Sequence, residues 1–241
     1  MTAPLLLIPL ALEWVILVTT LAPLVLVGRF DDRPRLGISI WFACLLSAGV
    51  ATVGALLITI WAYADTVADL SRKDFGGEDW FVILLVSFGP WLALAVGGIS
   101  LALINQKLEP LVNAAKEVRP LIDLGKTPLL KFNGVQVSTV ELPFAYALAT
   151  NREILISKFA VDHLSRNELE AVLWHELCHV RQKHFALKQQ ARFIREVSPG
   201  LTASRALVNE VERLVEAAAD QFALRHVNVP ILRLARKLFE D

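Results

Sequence analysis

The residues best suited to chemistry lie in one short stretch, His175-Glu176-Leu177-Cys178-His179. Histidines four residues apart project from the same face of a helix, so both imidazoles can reach one metal ion. Glu176 follows the first histidine, where a carboxylate can take a proton from a water that the metal activates rather than bind the metal. The spacing predicts a zinc site with His175 and His179 as ligands and Glu176 as the catalytic base.

A third ligand has to come from elsewhere in the chain, because a catalytic zinc takes three protein ligands and keeps one position open for water. Glu216 is the best candidate, with Glu212 in reserve; the alternative is that Glu216 belongs to an exposed acidic helix surface. Three alanines separate Glu216 from Asp220, and such small residues let helices pack closely. Asp220, one turn later, is predicted to hydrogen-bond a ligating histidine and fix its tautomer.

Several other polar residues have weaker assignments. His184 comes five residues after His179, about 140° round a continuous helix, and is predicted to lie at the surface or behind a ligand. Cys178 is predicted to pack as a small hydrophobic residue. The sequence does not choose a single electrophile for a tetrahedral intermediate. The candidates are Tyr146, Arg225 and His226.

Two helices are predicted to position these residues. The motif helix should begin at a capping box formed by Ser165 and Glu168, and it is expected to continue to about Arg192. The Ser-Pro-Gly sequence at 198–200 should end it. A further helix from about residue 203 to 223 then carries the candidate third ligand.

Short strands are predicted before the motif helix. Asn133-Gly134 lies between two alternating apolar stretches within residues 129–140, which is a strong signal for a tight hairpin. Residues 144–149 and 153–156 form a second pair of strand-like runs around a polar turn. Strands followed by two helices indicate a small α+β domain over residues 128–241, joined to what precedes it by a juxtamembrane linker helix over 106–127.

Three long apolar runs occupy the first 105 residues of a chain that is 55% hydrophobic overall. They cover about residues 5–27, 38–64 and 81–104, and each exceeds the roughly 20 residues that a helix needs to cross a bilayer. We therefore expect a transmembrane domain of three helices over residues 1–105. Glu13 lies within the first run, and the sequence leaves open whether it is functional or lies at the outer interface.

The charged loops between these runs predict an orientation. The loop after the first run contains three arginines, the loop after the second has five acidic residues against two basic ones, and basic residues follow the third. Because basic loops stay on the cytoplasmic side, we expect the N-terminus outside and the α+β domain in the cytoplasm. Net charge is zero, which gives no reason to expect direct binding to nucleic acid.

Residues 142–145, 152–157 and 169–179 resemble the BlaR/MecR-type membrane metallopeptidases, bacterial sensor proteases with a gluzincin-like domain among transmembrane helices. The resemblance covers about residues 140–226 and the order of spans before a cytoplasmic protease. It implies a zincin-like fold in a multi-pass protein of the bacterial cell membrane. It also implies zinc bound by His175, His179 and Glu216, with Glu176 as base and Asp220 in support. The near rival is the HtpX/CAAX-protease type, which shares both halves of this motif.

The expected function is that of a membrane-embedded zinc-dependent endopeptidase acting on a cytoplasmic or membrane-proximal protein, in signal transduction or regulation. A transcriptional repressor is one such substrate. The alternatives are an HtpX-like quality-control protease of membrane proteins and a non-catalytic signalling component that retains a zinc site. The expected partners are a protein or peptide substrate, the lipid bilayer and, by self-association, further copies of the chain.

Overall fold

The computed structural model describes residues 7–70 and 125–240. Its helices and strands follow in the order α1 (Leu7–Leu26), α2 (Pro34–Leu70), β1 (Lys126–Phe132), β2 (Val135–Val140), β3 (Ala147–Ala149), β4 (Glu153–Ser157), α3 (Lys158–His163), α4 (Arg166–Arg181), α5 (His184–Val197), α6 (Thr202–Ala223) and α7 (Val229–Glu240). The third predicted span, residues 81–104, and nearly all of the predicted linker helix lie outside the described residues.

Helices α1 and α2 are long enough and apolar enough to cross a membrane. Only 17% of the apolar stretch of each is buried against the rest of the protein, so large apolar side chains cover their outer faces. The first helix closely matches the predicted span. The second begins earlier than predicted, at Pro34, because proline suits the first turn of a helix, where its missing N–H costs no hydrogen bond. They are two candidate membrane spans.

The four strands form one sheet in the order β1-β2-β4-β3. The predicted hairpin is confirmed, since Asn133 and Gly134 both have positive φ, as a tight two-residue turn requires, and Phe132 pairs with Val135. Strands β2 and β4 are parallel, a pairing that the sequence pattern did not indicate. Strand β3 is shorter than the predicted run and pairs antiparallel with β4, which leaves β3 at an edge of the sheet.

The motif helix α4 begins as predicted but ends earlier. Ser165 and Glu168 form the reciprocal hydrogen bonds of a capping box. The helix then stops at Arg181, and Lys183 adopts a left-handed conformation before α5 starts at His184. The prediction of one helix to about Arg192 was wrong, because apolar residues continue at helical spacing on both sides of a turn that contains no glycine or proline.

Two hydrophobic cores hold the described residues together. One lies between the sheet and helices α3, α4 and α7, and the other joins α1, α2, α5 and α6. Helix α6 contributes to both, through Leu207, Val211 and Leu214 in the second core and Ala223 in the first. The two candidate spans are therefore packed directly on the α+β part of the chain.

Polar contacts reinforce the junction between α6 and the turn after α1. Glu210 is only 4% exposed, and its carboxylate accepts hydrogen bonds from the backbone N–H of Gly28 and from Arg213. Arg213 also pairs with Asp31, whose backbone carbonyl accepts a hydrogen bond from Gln221. Because the buried carboxylate is fully paired, it fixes the register of α6 against α1 instead of destabilising the core.

Gly37 lies where α2 packs tightly against Phe30 and Leu214. A Cβ atom at this position would lie 2.5 Å from Cβ of Phe30 and 3.0 Å from Cδ1 of Leu214. We expect Gly37→Ala to destabilise the protein by about 1–3 kcal/mol, since Phe30 in the turn before α2 and Leu214 on α6 cannot move aside without losing core contacts. Thermal unfolding in detergent measures the effect. Gly49→Ala is the matched control on the same helix, because no atom of the described residues lies within 4 Å of its added Cβ. Equal midpoints for the two variants would contradict this packing.

Candidate metal centre and active site

Three atoms that can bind a metal converge between α4 and α6. Nε2 of His175 and Nε2 of His179 are 3.2 Å apart, as expected for histidines one turn apart on one helix face. Oε2 of Glu216 lies 3.3 Å from the first nitrogen and 3.6 Å from the second. The third predicted ligand is thus brought to the motif from 37 residues beyond His179 in the chain.

The spacing of these atoms fits a tetrahedral zinc ion. With metal–ligand bonds of about 2.0–2.1 Å, the donor atoms of a tetrahedral site lie about 3.3 Å apart. The three observed distances scatter closely around that value, and two imidazoles with one carboxylate are a ligand set that catalytic zinc sites use. The residues present therefore fit the ion, with His175, His179 and Glu216 as the residues that would hold it.

The Glu216 carboxylate is fixed by a neighbour that the sequence did not indicate. Nζ of Lys188, on α5, donates a hydrogen bond of 2.9 Å to Oε1, which leaves Oε2 facing the two histidines. Burial alone would raise the pKa of this carboxyl, but the neighbouring His175, His179 and Lys188 outweigh it and hold the pKa far below its ordinary value. Glu212, the reserve candidate, instead pairs with Arg192 at 2.9 Å, away from the motif.

Asp220 lies where the sequence predicted it. Its Oδ1 accepts a hydrogen bond of 3.0 Å from Nδ1 of His175. Because that nitrogen then carries the proton, Nε2 presents its lone pair to the candidate metal position. Arg236, on α7, pairs with the same carboxylate from the other side. No sequence signal distinguishes this arginine from the other basic residues of α7, so it was not among the predicted site residues.

Glu176 is half-buried next to the convergent atoms. The backbone N–H of Ala149 donates a hydrogen bond to its carboxylate, which ties the predicted base to edge strand β3. Burial, opposed in part by the charges of His175 and His179, raises the pKa of the Glu176 carboxyl above its ordinary value. A carboxylate with a raised pKa accepts a proton more readily, which suits a general base.

Two cavities of about 290 and 260 Å³ adjoin these residues. His175, Glu176 and Glu216 line both of them. The first continues between α4 and α7, where its walls are largely apolar, and the second continues toward α5. Strand β3 contributes to both cavities. These two cavities, which we call the cleft, therefore adjoin Glu176 along the edge of the sheet.

The outer edge of β3 presents backbone groups that do not bond to β4. Tyr146 accepts a backbone hydrogen bond from Ser157 of β4, and the register pairs Leu148 with Leu155. In an antiparallel pair, hydrogen-bonded residues alternate with residues whose backbone groups face away. Ala147 and Ala149 therefore direct their N–H and C=O groups away from β4.

The structure separates the three proposed electrophiles. The pKa of the Tyr146 hydroxyl is raised by burial and by the charge of Glu176, so this tyrosine lies near the base. His226 instead stacks on Trp174, with ring centroids 3.5 Å apart. Arg225 lines a different cavity, at the turn between α1 and α2. Because His226 and Arg225 are engaged elsewhere, Tyr146 is the remaining candidate of the three.

His184 and Cys178 lie behind the motif, where His184 also forms part of the wall of the second cavity. His184 is 1% exposed, and its Nδ1 is 2.9 Å from Nδ1 of His179, so the surface alternative was wrong. Burial, together with His179 and Lys188 nearby, lowers the pKa of His184 to about 3. Cys178 is buried and free, as predicted, and Glu13 lines a separate apolar cavity between α1 and α2.

The geometry distinguishes the two candidate third ligands experimentally. We expect about one zinc per chain in the wild type, and Glu216→Ala should lower zinc affinity by more than the roughly 100-fold that loss of a supporting residue costs. Glu212→Ala, which removes a carboxylate from the same helix, should leave zinc content unchanged. Elemental analysis of detergent-purified protein measures both. Loss of zinc from the Glu212 variant alone would contradict the assignment.

Comparison with known proteins bears on the segment that contains the motif. Residues 111–194 match the family model of peptidase family M48, whose members are typically zinc-dependent. No curated protein matches the chain. The matched segment contains the sheet, α3, α4 and most of α5, and it ends before Glu216, so the position of Glu216 is an independent observation. The match shows that this segment is similar to peptidase family M48, and it distinguishes neither the BlaR/MecR type nor the HtpX type.

Proposed function

We propose that the protein is a zinc-dependent endopeptidase that is held in a membrane by its apolar helices and cleaves a membrane-proximal or cytoplasmic protein. The observation that carries the proposal is the convergence of Nε2 of His175, Nε2 of His179 and Oε2 of Glu216 beside a half-buried carboxylate, at the edge of the sheet formed by β3. A zinc ion held by these residues supplies a Lewis acid that polarises a carbonyl group and lowers the pKa of water.

Glu176 performs the proton transfers in this proposal. Its half-buried carboxylate takes the proton from the water that attacks the scissile carbonyl carbon. The same group then passes that proton to the leaving amine nitrogen as the peptide bond breaks. The hydrogen bond from Ala149 holds the carboxylate at the cleft wall. A purely structural metal site has no use for such a base, which argues against the non-catalytic alternative.

The substrate would be an extended peptide segment that adds as a strand to β3. Ala147 offers a backbone donor and acceptor along the cleft and Ala149 offers its carbonyl, and main-chain hydrogen bonds of this kind are a common mode of peptide docking. Cavities on both sides of Glu176 leave room for side chains before and after the scissile bond. Cleavage within a chain is therefore favoured over removal of single terminal residues.

The packing of the candidate spans supports a substrate near the membrane. Arg35, in the first turn of α2, hydrogen-bonds Gln182 directly after the motif helix. The active site therefore lies near one end of these helices, and the arginine-rich turn there favours the cytoplasmic side. Regulated cleavage of a signalling protein such as a transcriptional repressor is the substrate class we favour. Quality control of membrane proteins, as in the HtpX type, uses the same geometry.

The role of Glu176 can be tested with a substitution that preserves shape. Glu176→Gln removes the base but keeps the side-chain volume, so we expect cleavage to fall by about 10²–10⁴-fold while zinc content stays at the wild-type value. The measurement is the cleavage rate of an unfolded protein such as casein by detergent-purified enzyme, together with metal analysis. A variant that cleaves as fast as the wild type would rule out the proposed mechanism.

The docking edge can be tested through its backbone. Ala147→Pro removes an N–H that faces away from β4, so proline costs the sheet no hydrogen bond at this edge position. Loss of one hydrogen bond to substrate is worth about 0.5–1.5 kcal/mol, so we expect KM to rise about twofold to twelvefold with zinc retained. Ala147→Val, of similar size but with its N–H intact, is the control. A larger effect of valine than of proline would mean that side-chain crowding, not the backbone, governs docking.

A further inference from the structure

A chain of hydrogen bonds connects the first turn of α2 to a candidate metal ligand. Nε of Arg35 donates to Oε1 of Gln182 at 3.0 Å, and Nε2 of His184 lies 3.2 Å from the same oxygen. Nδ1 of His184 is in turn 2.9 Å from Nδ1 of His179. The side-chain nitrogen of Gln182 faces Sγ of Cys178 at 2.7 Å, which sets the orientation of the amide.

The chemistry of these groups determines where each proton lies. A guanidinium can only donate, so it requires the oxygen of the Gln182 amide, and that oxygen can only accept. Nε2 of His184 must therefore carry a proton. A neutral imidazole has one N–H, so Nδ1 of His184 accepts, and Nδ1 of His179 has to be the donor. The remaining nitrogen of His179, Nε2, is then unprotonated and faces Glu216.

We propose that Arg35, Gln182 and His184 form a positioning relay that fixes His179 in its metal-binding tautomer from the first turn of α2. The inference rests on the proposed function, because it assigns these residues a part in holding the zinc. His184 is 1% exposed, so water does not compete for its two hydrogen bonds. None of the three residues is itself a base or a metal ligand. They act through His179.

The relay gives the two histidine ligands different supports. His175 is held by the Asp220 carboxylate, which lies on the same helix as Glu216. His179 is held by two neutral side chains, His184 and Gln182, which connect it to Arg35 on a candidate membrane span. A shift of the first turn of α2 relative to α4 would therefore act on one ligand only. The candidate spans thus have a physical connection to the metal position, in addition to anchoring the protein.

Zinc affinity of variants of the full chain tests the relay. We measure it by competition with a chelator in detergent. Gln182→Met removes the shared acceptor, and we expect affinity to fall about 10–100-fold, the usual cost of losing a residue that orients a ligand. Gln182→Glu keeps oxygens that accept from both neighbours and should restore affinity to near the wild-type value. Equal loss in both variants would mean that residue 182 acts only by packing, and would overturn the proposal.

The first residue of the relay has a neighbouring control. Arg35→Met should weaken zinc binding in the same direction as Gln182→Met. Arg33→Met should leave zinc binding unchanged, because the Arg33 side chain has no hydrogen-bond partner within residues 7–70 and 125–240. If the two arginine variants bind zinc equally well, the relay does not extend to α2 and the proposal fails in that form.

A spectroscopic measurement reads the tautomer directly. The chain contains five histidines, so ¹⁵N-histidine labelling gives a spectrum simple enough to assign by single substitutions. In zinc-loaded wild type, we expect His184 to carry its proton on Nε2; a proton on Nδ1 would overturn the relay. Wild type that folds but binds no zinc would instead overturn the proposed function itself. Wild type that binds zinc, with Gln182→Met binding it equally tightly, would overturn the relay alone.

Discussion

Helix α6 has to satisfy two hydrophobic cores at once, and the candidate site depends on that constraint. Its first part packs on α1, α2 and α5 through residues such as Leu207 and Leu214, while its last turn reaches the core beneath the sheet at Ala223. Glu216 and Asp220 lie between these two anchors. Because burial of apolar surface fixes both parts of the helix, it also fixes the position of these carboxylates along the helix axis relative to the motif histidines.

Each candidate ligand is held by a partner on the side away from the convergent atoms. Asp220 holds Nδ1 of His175, His184 contacts Nδ1 of His179, and Lys188 holds Oε1 of Glu216. Part-buried polar atoms are costly unless they are paired, so each of these contacts stabilises the fold as well as the site. Their joint effect is that two nitrogens and one oxygen are turned toward a single point. An accidental cluster of acids and histidines does not require three such supports.

Local patterns in the sequence sufficed for much of this arrangement. The spacing of His175 and His179 needs only helical geometry, and the hairpin at Asn133-Gly134 and the capping box at Ser165 are each settled within a few residues. The pair Glu216 and Asp220 could be predicted because a zinc site needs a third ligand and a support at helical spacing. Arg236 and Lys188 could not, since they differ from other surface basic residues only in what the tertiary fold places beside them.

Sequence reasoning missed the break between α4 and α5. The arrangement of residues behind the motif depends on this break. In a continuous helix, His184 would lie about 140° round from His179 and could not touch its ring. The left-handed conformation of Lys183 turns the chain, buries His184 and brings it within 2.9 Å of the ligand. Such a conformation costs a non-glycine residue about 1–2 kcal/mol, and it persists where surrounding contacts over-determine it. Here those contacts are the hydrogen bonds of Gln182 and His184. The strained residue, Lys183, is therefore the one that places His184 against the candidate ligand His179.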